Sequence, residues 1–125
     1  MSRYAAREFG GRSEAAAADY LFERGYRILA RNFVVRGGEI DIVAAVADTV
    51  VFVEVKARAE VEAALGAITP AKRRRLGRAA AAWVAGNPWA ATGWSLRGDA
   101  IVLDASRPPL HIEDAFALEF EDLCP

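Results

Sequence analysis

The sequence predicts one α/β or α+β domain of element order α-β-β-β-α-β-β. Three observations carry that prediction: an apolar stripe at helical spacing before residue 25, three Val/Ile-rich segments joined by very short connections, and a Thr-Pro pair opening a second helical stripe. At 125 residues and 54% hydrophobic content the chain can bury one core but is too short to divide into two. The domain is therefore expected to span 1–125, with an acidic C-terminal tail over 113–125.

The first helix is predicted over 11–24, where Ala17, Ala18 and Leu21 share a face and Gly25 supplies the left-handed C-terminal residue. Glu14 falls on that inward stripe. A carboxylate there needs a reason, and a place in the first turn, where its charge would meet the positive end of the helix dipole, is one. Extended segments are predicted over 28–35, 39–45 and 50–56, and their short connections, Gly37-Gly38 and 46–49, imply an antiparallel meander. Thr69-Pro70 provides an N-cap and a first-turn proline for a helix through Leu76, Ala79, Ala80, Trp83 and Val84, ending at Gly86-Asn87-Pro88. A Trp/Gly loop over 89–94 leads to two short strands over 100–103 and 110–113.

The formal net charge of −1 hides an uneven distribution. Five acids follow the last basic residue, Arg107, and setting them aside leaves 16 basic side chains against 12 acidic ones, so phosphate binding stays open. Of the 16 cations 14 are arginines; lysine occurs only at 56 and 72, either because a compact ammonium is wanted there in place of a planar guanidinium or by chance. No run approaches the roughly 20 apolar residues of a membrane span, and the N-terminus lacks a signal-peptide core, so a cytoplasmic protein without membrane association is expected. A lone Cys124 gives neither an internal disulfide nor a zinc site.

Strand alternation places Glu54 and Lys56 on one face with Phe52, opposite Val51, Val53 and Val55. In the preceding strand Glu39, Asp41 and Val43 are expected opposite Ile40 and Ile42, and the right register brings Asp41 beside Glu54. Two carboxylates without His or Cys suit Mg²⁺ or Mn²⁺, and a neighbouring lysine completes a set fit for metal-assisted phosphodiester cleavage. The same residues also make an ordinary ion pair on the wet side of a sheet, contributing under about 1 kcal/mol. Against that stands the apolar run Val50-Val51-Phe52-Val53, which implies a strand covered on both faces. Lys72, Arg73, Arg74, Arg75 and Arg78 at the start of the second helix, with Arg58 at the end of the third strand, form a candidate phosphate-binding surface or a solvated basic collar. His111 has no evident partner and reads as structural, and hydrolase triads and nucleotide-binding glycine motifs are missing.

Ser13-Glu14-Ala15, Arg31-Asn32-Phe33, Gly38-Glu39-Ile40-Asp41-Ile42-Val43, Val51-Phe52-Val53-Glu54-Val55-Lys56, Thr69-Pro70-Ala71-Lys72 and His111-Ile112-Glu113-Asp114-Ala115-Phe116 resemble, in order and spacing, the bacterial YraN (UPF0102) family. That family looks like a member of the PD-(D/E)xK nuclease superfamily, related to archaeal Holliday-junction resolvases. The resemblance implies an α/β restriction-endonuclease-like αβββαβ core with a mixed central sheet flanked by helices. It also implies a metal held by Asp41 and Glu54, Lys56 assisting the attacking water, and Glu14 approaching from the first helix. Ser13, Ala57 and Gly98 depart from the residues usual in that family, the last standing where phenylalanine usually precedes Asp99. The expected function is a Mg²⁺- or Mn²⁺-dependent nuclease acting on DNA, including branched DNA, with a homodimer expected by analogy with resolvases. The alternatives are a nucleic-acid-binding module without turnover and a protein-interaction domain using the acidic tail and the 89–94 loop.

Overall fold

The computed structural model describes residues 3–57, 69–104 and 106–118, the first ten of them by their backbone alone. Helix α1 (Arg3–Glu23) is followed by strands β1 (Arg27–Val35), β2 (Gly38–Val46) and β3 (Thr49–Ala57), helix α2 (Pro70–Gly86), a single 3₁₀ turn (Pro88–Ala91), and strands β4 (Ser95–Asp104) and β5 (Arg107–Phe116). The five strands form one sheet in the order β1-β2-β3-β4-β5. The first three make the expected antiparallel meander, β4 joins β3 in parallel across the connection that contains α2, and β5 returns antiparallel. The fold is therefore α/β, an αβββαβ core with a mixed sheet and one added edge strand.

Each helix covers one face. Ala17, Ala18 and Leu21 of α1 pack on Ile42, Ala44, Val51, Val53 and Ile101, whereas Leu76, Ala79, Ala80, Trp83 and Val84 of α2 pack on Ile40, Val43, Val50 and Phe52. This explains the unbroken apolar run in β3: Val50, Val51, Phe52 and Val53 are all fully buried because both faces are covered. Two glycines stand where a side chain would not fit. A Cβ at Gly38 would lie 2.4 Å from the Arg75 carbonyl oxygen, so glycine there lets α2 sit directly on β2. The room for a side chain at Gly98 is taken by the Phe116 ring, 2.5 Å from where a Cβ would stand.

The structure corrects the element boundaries at several points. Helix α1 begins at Arg3 rather than near residue 11 and continues through Gly10 and Gly11, despite a cost of about 1 kcal/mol for each glycine relative to alanine. Glu14 thus lies in the body of the helix, and its first-turn explanation falls away. The C-terminus follows expectation: Gly25 has φ +88°, its N–H donates to the Phe22 carbonyl and that of Tyr26 to the Leu21 carbonyl, the two bonds of a glycine-terminated helix end. The last two strands are ten residues each rather than four, so residues 113–116 belong to β5 and not to a tail. Pro88 and the first three residues of the Trp/Gly loop form the 3₁₀ turn, and Trp83, Trp89 and Trp94 stack edge to face in series.

Candidate functional site

Strict alternation does not hold through β2. Ile40 packs beneath α2 while Ile42 packs beneath α1, although the two are separated by a single residue, so Asp41 stands where the strand changes the face it presents. Glu39, Asp41 and Val43 accordingly do not form one face opposite Ile40 and Ile42, as simple alternation predicted. The β2–β3 ladder runs from Val46 opposite Thr49 to Ile42 opposite Val53; one residue beyond it the Asp41 side chain replaces the backbone, Oδ2 accepting the Val55 N–H at 2.7 Å. Register therefore brings Asp41 to the level of Glu54, the juxtaposition on which the candidate site depends. Burial above all, and then the Glu54 charge, push the Asp41 carboxyl up to about 6; the Val55 N–H works against that rise, and the Glu39 and Glu14 charges add to it.

Glu54 is buried and carries two cations on a single oxygen. Lys56 Nζ is 3.1 Å and Lys72 Nζ 2.9 Å from Oε1. Both lysines of the chain thus converge on one carboxylate, one from the same strand and the other from the first turn of α2. Thr69 anchors that turn as predicted, its Oγ1 accepting the Lys72 N–H at 3.2 Å. A cavity of about 350 Å³ opens here, lined among others by Glu39, Glu54, Lys56, Thr69, Lys72 and Arg75. Glu39 lies on its exposed margin, 3.9 Å from Arg75 Nη2.

Glu14 is buried on α1 and bonded to Arg31, whose Nε donates to Oε1 at 2.8 Å. It contributes charge to Asp41 but is itself engaged by a guanidinium, a partner that spacing along the sequence did not reveal. Among the described residues, no cluster of three or more His, Cys, Asp or Glu side chains is arranged to hold a metal. Asp41 and Glu54 offer a two-carboxylate donor set of the hard-oxygen kind that Mg²⁺ or Mn²⁺ takes, and burial followed by the Glu54 charge, which together raise the Asp41 pKa, are what a divalent cation would offset.

The basic start of α2 divides. Lys72 turns to the sheet; Arg73 is half-buried, its Nε lacking a hydrogen-bond partner among the described residues; Arg74, Arg75 and Arg78 are exposed. Arg58 lies outside the described residues.

A second polar cluster was not anticipated. Asp99, on β4, is fully buried and receives both Nε and Nη2 of Arg97 at 2.8 Å, His111 Nε2 at 2.7 Å and the Asp114 N–H at 3.0 Å. Arg97 Nη2 also donates to the Tyr26 hydroxyl at 3.1 Å, and the imidazole packs against the rings of Tyr20 and Tyr26. Burial alone would raise the Asp99 pKa, but the hydrogen bonds from His111, Arg97 and Asp114 outweigh it and hold the carboxyl at about 2. His111 therefore has a partner, contrary to expectation, although its place in a closed network agrees with a structural role. The available sequence signal was an acid inside an apolar strand with an arginine two residues earlier on the same face.

A family model described as "Uncharacterised protein family UPF0102" matches residues 13–103, which include strands β1 to β3, all of β4 but its last residue, and Glu14, Asp41, Glu54, Lys56 and Lys72. A UPF0102 protein of Methylocella silvestris is 48% identical over 111 residues, covering 89% of either chain. One from Rhodopseudomonas palustris is 47% identical across 93% of this chain and 88% of its own, and one from Methylobacterium nodulans is 47% identical across 88% and 84%. By extent and identity of match, the chain belongs to the UPF0102 family.

Proposed function

We propose that this protein is a divalent-metal-dependent nuclease of the PD-(D/E)xK, restriction-endonuclease-like type, acting on DNA and suited to branched DNA. The observation that supports this most strongly is the meeting of Asp41, Glu54 and Lys56 at the end of the β2–β3 ladder, beside a cavity and a basic helix start. In this reading Asp41 and Glu54 hold Mg²⁺ or Mn²⁺, which when bound polarises the phosphate and lowers the pKa of water. The Lys56 ammonium orients the attacking water and offsets charge gathering on the phosphate oxygens. Water adds at phosphorus, the P–O bond to one sugar breaks, and the products are an alcohol and a phosphate monoester. Lys72, Arg74, Arg75 and Arg78, with Arg58 as an extension, hold the backbone phosphates. Glu14 holds Arg31 and adds negative potential at Asp41.

The test is cleavage of single-stranded, duplex, flap and junction DNA in Mn²⁺ or Mg²⁺. Cutting is expected for at least one substrate, with a loss of about 100-fold or more in Asp41→Asn and Lys56→Ala, the range seen when one electrostatic contributor to a transition state is removed. Activity that survives both substitutions, or none with any substrate, defeats the proposal. A binding module without turnover is the second reading, favoured by the two ammonium groups that already neutralise Glu54; metal-independent DNA binding without cleavage would support it. Two copies would be needed to cut both strands of a junction, and sedimentation with and without DNA tests for them.

A further inference from the structure

We propose that Lys72 is a substrate-phosphate-binding residue that rests on Glu54 until a divalent cation takes that carboxylate; the inference builds on the nuclease reading above. Lys72 and Lys56 meet the same Glu54 oxygen at 2.9 and 3.1 Å, one cation more than a single carboxylate needs. A metal held by Asp41 and Glu54 would bring two further positive charges to that carboxylate. The cation then easier to displace is the one that reaches across from another element.

That cation is Lys72. Its backbone is fixed by the Thr69 cap, but its side chain is one-third exposed and borders the cavity beside Arg75, so its stem can swing without moving the helix. A lysine suits this role better than the arginine this chain otherwise prefers. A guanidinium would grip a carboxylate through two parallel bonds, whereas a compact ammonium on a flexible stem exchanges partners. Position matters as well. A cation in the first turn opposes the helix dipole, and replacing its partner by a phosphate at that turn brings the anion to the favourable end. Metal binding and phosphate binding are coupled in this scheme, because the same ammonium gives up one anion to take another.

The experiment compares wild type, Lys72→Gln and Lys72→Arg, each shown to be folded by circular dichroism. With Mn²⁺ as sole ligand, followed by electron paramagnetic resonance, Lys72→Gln is expected to bind the metal about 3- to 10-fold more tightly, because an internal competitor is gone. Lys72→Arg should bind no more tightly than wild type. With a labelled DNA duplex, the slope of log K against log salt should fall by about 0.9 in Lys72→Gln when Ca²⁺ is present, the signature of one lost phosphate contact. Without divalent metal the slopes of wild type and variant should coincide. Unchanged Mn²⁺ affinity, or equal slopes in Ca²⁺, overturns the exchange and leaves the nuclease reading standing. Failure of wild type itself to bind Mn²⁺ overturns both.

Discussion

Two aspartates sit at equivalent places in the ladder logic of this sheet and end in opposite electrostatic states. Asp41 and Asp99 each accept a backbone N–H from the neighbouring strand, of Val55 and Asp114 respectively, where regular pairing gives way. Asp99 is then closed in by Arg97 and His111 and its pKa falls to about 2. Asp41 has carboxylates for company, Glu54 above all, and burial with that repulsion lifts its pKa to about 6. One cluster carries its own countercharges and behaves as structure. The other leaves Asp41 with a raised pKa and no cation among the groups that shift it, next in the ladder to Glu54, which lines the cavity.

The sharpest way to break this comparison is Asp99→Ala. Removing it strands the Arg97 guanidinium and His111, and loss of one partner of a buried charged pair costs about 3–5 kcal/mol. Urea denaturation should show that loss, and a change below about 1 kcal/mol would mean that the network is not structural. Gly38→Ala comes next: the new methyl would press on the α2 backbone, for about 1–3 kcal/mol of overpacking, and lift Lys72 away from Glu54. Asp41→Asn should have the smallest effect and the opposite sign. It abolishes like-charge repulsion while keeping an acceptor for Val55, so the metal-free protein should gain about 1–2 kcal/mol at pH 7, and Mn²⁺ should stabilise wild type but not the variant.

The pH dependence follows from the same pair. A depressed pKa at Asp99 contributes about 2 kcal/mol that is fully present above the unfolded carboxyl pKa near 4 and is lost as pH falls toward 2. A raised pKa at Asp41 acts the other way: its cost is present above about 6 and is relieved as pH falls from there toward 4. Denaturation of the metal-free protein between pH 7 and pH 3 should therefore show a stability rise on mild acidification that Asp41→Asn lacks.

Much of the fold was legible because local patterns agreed with one another. The 28–35, 39–45 and 50–56 segments, the Thr69-Pro70 helix start and Gly25 all lie within a residue or two of the structural boundaries. What failed to show locally had a tertiary cause. The first helix read as starting at residue 11, yet α1 begins at Arg3 and runs through Gly10 and Gly11. Ile40 and Ile42 read as one face, yet the strand changes face at Asp41. Lys72 read as one of a basic group offered to phosphate or to solvent; which carboxylate its ammonium meets, 2.9 Å away and 18 residues back in sequence, was not legible. His111 found its partner only when β5 paired with β4. The Phe116 ring that fills the space over Gly98 is likewise invisible without that pairing.

The sequence by itself determined the order of the elements and the residues of β3 that are buried on both faces, and it singled out Asp41, Glu54 and Lys56 as a candidate group, because periodicity and residue chemistry are properties of short stretches. No helix among the described residues is long and apolar enough to cross a membrane, which agrees with the hydropathy of the chain. Only the tertiary structure decided which charges meet. Register placed Asp41 level with Glu54, helix packing brought Lys72 to the same oxygen as Lys56, and strand β5 closed Asp99 away from water. The physical reason is range: secondary structure answers to neighbours within a few residues, whereas the energy of a carboxylate depends on which cation lies within about 4 Å of it, wherever in the chain that cation originates.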